Sequence, residues 1–142
     1  MRRSEARSSR YASYQGMTQN PFKANPRTFV VDDEEEIAKM LAVILQMNLF
    51  DAIPFIDPEG ALAAAREEAP EYLITDVVMP GMNGIDLAIA IRGLAPECKV
   101  LLFSGQVGAG ELIAAANAAG HNFTMVEKPI HPRVLTEALL QL

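Results

Sequence analysis

The chain is short of cysteine, of histidine and of long apolar runs, and each shortage closes off a class of function. A single cysteine, Cys98, cannot form an intrachain disulfide, which fits a reducing compartment. It stands in Pro96-Glu97-Cys98-Lys99 with no base beside it, so it reads as structural or surface and not as a nucleophile. The two histidines, His121 and His131, have no metal-ligand spacing with each other or with Cys98, and both read as surface or capping residues. No apolar run approaches the roughly 18 residues that cross a bilayer. The four arginines among the first ten residues are not followed by an apolar segment, so no secretory signal is expected. A cytoplasmic protein without a membrane span is the expectation. No internal repeat is visible.

What is present divides into two parts of opposite charge. Of 142 residues, half are apolar and 21% are charged, as in a soluble domain with a proper core. Residues 1–27 hold Arg2, Arg3, Arg7, Arg10, Lys23 and Arg27 against one acid, Glu5. They are rich in Ser, Asn, Gln and Pro and cannot bury enough apolar surface to offset the ordering entropy. A disordered basic extension is therefore expected over 1–27, its plainest reading being a solvated tail. The remainder, 28–142, carries six basic and 17 acidic residues, a charge of −11 that argues against nucleic acid as a partner.

From Thr28 the chain alternates. Thr28-Phe29-Val30-Val31 is β-branched and aromatic, a short strand that ends at Asp32-Asp33-Glu34-Glu35-Glu36. The glutamates fall in the first turn of a helix, where the dipole favours them, and read as a solvated face. Ile37, Met40, Leu41, Ile44 and Leu45 give that helix its apolar period. Ala52–Phe55 reads as a second strand, at an edge because of Pro54. Pro58 opens an Ala-rich helix. Tyr72–Asp76 is a third strand, and Gly84–Arg92 a third helix with Gly93 as its expected cap. Lys99–Phe103 is a fourth strand, Gly108–Ala119 a fourth helix stopped by Gly120, and Phe123–Val126 a fifth strand. Pro132 suits the first position of a last helix. Core packing is the plainer reading of Ala114-Ala115-Ala116 in the fourth helix. Five strands alternating with five helices imply a parallel sheet covered on both faces, an α/β three-layer sandwich of one domain over 28–142.

In such a sheet every strand ends on one edge, and ligands bind there. The first strand ends in Asp32-Asp33, the third in Asp76, the fourth in Ser104 and the fifth in Lys128. Alone, Asp76 could be a loop cap, since Pro80, Gly81, Asn83 and Gly84 follow it. Three convergent carboxylates repel unless a cation joins them, and hard oxygen ligands suit Mg²⁺, or Mn²⁺ in its place. Lys128 and the Ser104 hydroxyl could then hold the oxygens of a phosphoryl group.

These pieces, Val30-Val31-Asp32-Asp33-Glu34, Thr75-Asp76 with Met79-Pro80-Gly81-Met82-Asn83-Gly84, Phe103-Ser104-Gly105 and Lys128-Pro129, resemble the receiver domain of bacterial two-component response regulators. The resemblance spans residues 28–142. It implies a flavodoxin-like, doubly wound five-stranded sheet of order 2-1-3-4-5. It implies that Asp76 accepts a phosphoryl group from a histidine kinase or histidine phosphotransfer protein. Asp33, Asp76 and the backbone carbonyl of Val78 would ligate Mg²⁺, with Asp32 direct or through water. Ser104 would be the switch hydroxyl, Lys128 would pair with the phosphoryl group, and the Lys128–Pro129 bond would be cis. The resemblance implies a phosphorylation-dependent switch of a two-component system or phosphorelay, with no enzymatic activity expected beyond self-phosphorylation and slow self-dephosphorylation. It would act on an unknown downstream protein. The face of the fourth helix, fifth strand and fifth helix leaves open a homodimer.

Three departures stand out. Met125 occupies the place of the family's usual aromatic, with Phe123 nearby on the same strand face. The run Gly120–Thr124 is one residue longer than usual. No output domain is expected after Leu142. Val78 and Gln106 would flank a hydrolytic water, and apolar Val78 cannot orient it, so slow dephosphorylation is expected. Two other readings are a Mg²⁺-dependent phosphohydrolase with Asp76 as nucleophile, which Val78 opposes, and a phosphorylation-independent pseudo-receiver.

Overall fold

The computed structural model describes residues 24–105 and 109–142. The extension expected over 1–27 lies outside the described residues up to Lys23, as do Gln106 and the expected helix start at Gly108; the extension's last residue, Arg27, opens the first strand instead. Strand and helix alternate through β1 (Arg27–Val31), α1 (Glu35–Gln46), β2 (Asp51–Phe55), α2 (Pro58–Glu67), β3 (Tyr72–Asp76), α3 (Gly84–Leu94), β4 (Lys99–Ser104), α4 (Ala109–Ala118), β5 (Thr124–Glu127) and α5 (Pro132–Leu140). Every pairing is parallel and the order is β2-β1-β3-β4-β5, the doubly wound arrangement expected.

The strands read as unbroken apolar runs because both faces of the sheet are covered. Side chains alternate along each strand. Phe29, Val31, Leu73, Val100 and Leu102 face one way, onto Ala61 and Ala65 of α2 and Leu87 and Ile91 of α3. Val30, Ile74, Leu101 and Phe103 face the other way, onto Leu41 and Leu45 of α1 and Leu135 and Leu139 of α5. Each fully buried Leu, Ile or Phe contributes about 2 kcal/mol, so these two layers dominate the stability. Pro54 sits in edge strand β2 opposite Val30, where its missing N–H costs nothing on the open side.

Helix starts are set by local chemistry. Asp57 accepts from the Gly60 N–H at 2.6 Å ahead of Pro58. Asn83 accepts from the Asp86 N–H at 2.8 Å, and His131 Nδ1 from the Arg133 N–H at 3.1 Å ahead of Pro132. Gly120, at φ +94°, stops α4 as expected. Gly93 does not stop α3. The helix runs on to Leu94 and is capped at Ala95, because an exposed glycine with helical backbone bars nothing while Ala95 N–H still reaches the Ile91 carbonyl. In α4 only Ala109 and Ala116 are buried, and Ala114, Ala115 and Ala118 face solvent, so core packing accounts for one side of that helix alone. Cys98 is buried, and burial pushes its thiol up to about 11, which makes it an inert core residue.

Candidate functional site

Parallel pairing delivers the polar residues to one edge. β1 stops at Val31 opposite Thr75, so Asp32 and Asp33 lie just past the sheet. Asp76 pairs with Phe103, one residue before Ser104, and Ser104 pairs with Glu127, one residue before Lys128. Asp32, Asp33 and Asp76 each offer an oxygen, and these atoms lie within 4.8 Å of one another. Asp32 and Asp76 are buried, whereas Asp33 is exposed at the mouth.

Lys128 spans two of the three acids. Its Nζ lies 3.0 Å from Asp32 Oδ2 and 3.2 Å from Asp76 Oδ2, with the ammonium over the Phe103 ring at 5.0 Å. The other oxygen of Asp32 accepts the Glu34 N–H at 2.8 Å. Asp76 Oδ1 is buried and has no hydrogen-bond partner among the described residues. Burial pushes the Asp76 carboxyl above its usual range. The Lys128 charge and hydrogen bond pull it back, and the charge of Asp32 adds to the rise. The Val77 N–H, committed to the Phe103 carbonyl at 3.1 Å, adds the smallest pull. For Lys128, burial acts downward, but the Asp32 hydrogen bond and the charges of Asp76 and Asp32 outweigh it and hold the ammonium above the usual lysine value. One ammonium thus bridges two of the three clustered carboxylates, and among the described residues one buried carboxylate oxygen is left without a donor. That donor set, all hard oxygen with a surplus of negative charge, suits a divalent cation such as Mg²⁺.

The loop after Asp76 is tightly tied. The Gly84 N–H donates to the Val77 carbonyl at 2.8 Å and closes the turn through Val78–Asn83. Gly81 takes φ +79° within it, a conformation that favours glycine. Gly84 has no room for a side chain, because a Cβ there would overlap the Asp76 carbonyl oxygen. The buried Thr75 hydroxyl donates to that same carbonyl at 2.9 Å. Val78 is half-buried at the start of the loop. Ser104 is buried at the end of β4, and its carbonyl accepts the Lys128 N–H at 3.0 Å. The Lys128–Pro129 bond is cis.

The sequence brings Asp32, Asp33, Asp76, Ser104 and Lys128 to one edge, and the structure places them there. Pairing of Lys128 with Asp32, the cap Asp32 gives to Glu34, and the contacts of Thr75 and Gly84 with the Asp76 carbonyl were not visible in the sequence. Only the Asn-Gly step hinted at the last. Phe123 falls just outside β5. It stacks on His121 with ring centroids 6.3 Å apart, under the Arg92 guanidinium at 4.8 Å. Met125 pairs with Leu102, and both Phe123 and Met125 pack toward the α3–α4 side.

A family model described as the response regulator receiver domain matches residues 28–140. The chain belongs to that family. Among curated relatives of this receiver is the DNA-binding response regulator MtrA of Mycolicibacterium smegmatis, 29% identical over 109 residues. That match covers 77% of this chain and 46% of MtrA, so the receiver spans about half the length of such relatives. Among solved structures, the chemotaxis protein CheY4 of Vibrio cholerae aligns with a TM-score of 0.73 at 25% identity, over 83% of this chain and 98% of CheY4. A two-component transcriptional regulator AraC from Clostridium phytofermentans aligns at 0.69 and 32% identity, over 82% of this chain and 90% of that one. The order β2-β1-β3-β4-β5 matches these receivers. Its place is thus among the receiver domains of two-component signalling. Among the described residues, no helix is long and apolar enough to cross a membrane.

Proposed function

We propose that Asp76 accepts a phosphoryl group from the phosphohistidine of a histidine kinase or a histidine phosphotransfer protein, and that the receiver then signals through protein–protein contacts. The observation that carries this reading is Asp76 Oδ1: a buried carboxylate oxygen without a donor among the described residues, beside Asp32 and Asp33 and at the end of a strand. Asp33, Asp76 and the Val78 carbonyl would hold Mg²⁺, or Mn²⁺, with Asp32 directly or through water. Once bound, the ion neutralises charge on the phosphoryl oxygens and on the acids around it.

An oxygen of Asp76 attacks phosphorus as the bond from phosphorus to the donor's imidazole nitrogen breaks, and the imidazole leaves to be protonated by solvent. The transfer adds charge and acceptor oxygens at Asp76. Lys128, which bridges Asp32 and Asp76 before the reaction, is within reach to pair with the new group. The Ser104 hydroxyl, one residue beyond Phe103 on the neighbouring strand, donates to a phosphoryl oxygen. Pulling Ser104 and Lys128 inward reshapes the face of α4, β5 and α5, where a downstream protein or a second copy would bind. A reducing, cytoplasmic setting is consistent with the single buried thiol.

Treatment with a small phosphodonor and Mg²⁺, followed by mass spectrometry, should add one phosphoryl group to the wild type and none to Asp76→Asn. A correctly folded wild type that takes up nothing would make this a pseudo-receiver. Because Val78 offers no group to orient a water, the phosphorylated form should persist for minutes or longer at neutral pH. Decay within seconds would remove that part of the reading.

A further inference from the structure

We infer that Thr75 is a positioning residue for the reaction at Asp76, and that it acts through the acceptor's own backbone. The inference rests on the reading of Asp76 as phosphoryl acceptor. The Val77 N–H donates toward β4, to the Phe103 carbonyl at 3.1 Å. In a trans peptide the carbonyl of the same unit points the opposite way, so the Asp76 carbonyl is turned toward the β1 side. There the pairing of β1 with β3 ends at Val31 opposite Thr75, and Asp76 has no register partner in β1.

The carbonyl is met by other groups instead. The Thr75 hydroxyl, fully buried, donates to it at 2.9 Å. Gly84 closes over it so tightly that a Cβ would overlap the oxygen, and that same Cβ would lie 3.1 Å from the Thr75 hydroxyl. The Val77 carbonyl in turn accepts the Gly84 N–H at 2.8 Å. These contacts fix the peptide plane that leaves Asp76, and with it the direction of the Asp76 side chain. Among the described side chains, Thr75 is the one that supplies a hydrogen bond to the plane. A valine would fill the same space and leave the buried carbonyl without its donor.

Phosphorylation of the full chain by phosphoramidate with Mg²⁺ tests this, with rates followed by mass spectrometry well below the melting temperature of each variant. A 1 Å misplacement of a reacting group costs about 100-fold, so loss of one orienting bond in Thr75→Val should slow phosphorylation at saturating donor about tenfold. The donor concentration for half-maximal rate should stay the same. Thr75→Ser keeps the hydroxyl and should restore the rate to within about twofold. A purely packing role would slow Thr75→Ser, which lacks the methyl, and leave Thr75→Val, which fills the same space, at the wild-type rate; that pattern would overturn the inference. So would a Thr75→Ser as slow as Thr75→Val, since the hydroxyl alone would then not restore the rate. If Thr75→Val does not fold, Thr75→Cys replaces it: a weak donor in the same place should give an intermediate rate, and a wild-type rate would be decisive against positioning. A wild-type chain that takes up no phosphoryl group overturns the reading of Asp76 itself, and this inference with it. A wild type that is phosphorylated while Thr75→Val keeps pace overturns only the positioning role.

Discussion

Burial raises the Asp76 carboxyl above its usual value, and Lys128 offsets this only in part. An acid with a raised folded pKa binds its proton more readily folded than unfolded. At neutral pH its charge therefore costs stability. That cost fades as pH falls through the folded value, and is gone below the unfolded value of about 3.9. Asn keeps the shape without the charge, and Lys128 still has Asp32 at 3.0 Å. Asp76→Asn should therefore melt higher at pH 7, by about 1 kcal/mol or ~4 °C for a domain of this size. The gain should shrink toward pH 4. Thermal unfolding followed by circular dichroism across that range checks it, and a lower Tm at pH 7 would contradict it. Lys128 runs the other way. Its raised folded pKa means that its stabilisation is complete below the unfolded value and is lost as pH rises through the folded one. Lys128→Met should cost about 3 kcal/mol at pH 7, because it leaves Asp32 and Asp76 facing each other without a cation.

The β3–α3 junction is where element structure and chemistry meet. Asn83 caps α3, and Gly84 packs its first turn onto the Asp76 carbonyl. Gly84→Ala must push α3 and β3 apart and should cost about 3 kcal/mol or more, the upper range for overpacking. Asn83→Ala removes only the cap and should cost about 1 kcal/mol. Urea unfolding separates the two, and equal costs would mean that the close approach is not the constraint. Much of this fold could be read from residue order, because apolar strands buried on both faces and helices of period three to four leave different patterns. The strand-end residues Asp32, Asp76, Ser104 and Lys128 were legible for a related reason: parallel strands all finish on one edge. What stayed hidden depends on approach in space. Thr75 and Gly84 meet at one carbonyl, and Lys128 reaches across 96 residues to Asp32. Gly93 carried a stop signal that an exposed helix end could ignore. Phe123 falls outside β5 and packs with Arg92 and His121, partners that alternation along a strand does not reveal.

Across the whole molecule, charge sets how metal and stability are linked. Residues 28–142 carry six basic and 17 acidic residues, and three of the acids converge at one strand edge. Any salt relieves the diffuse repulsion by screening over about 10 Å at 0.1 M. A cation held by Asp32, Asp33 and Asp76 does something else: it binds the folded state, and raises its stability by RT ln(1 + [L]/Kd). At ten times its dissociation constant, Mg²⁺ should add about 1.4 kcal/mol, roughly 4–6 °C in Tm. NaCl at matched ionic strength should not reproduce that rise if the site is specific. Asp33→Asn should abolish the Mg²⁺ increment while leaving the NaCl response intact, since Asp33 is exposed and its loss opens no core. The increment should also shrink as pH falls, because protons compete with the metal for Asp76, whose carboxyl titrates above its usual range. Melting curves over the pH, Mg²⁺ and NaCl series decide between the two. If NaCl and Mg²⁺ give the same shift in wild type and Asp33→Asn alike, the acidic trio only adds to the diffuse charge and holds no ion.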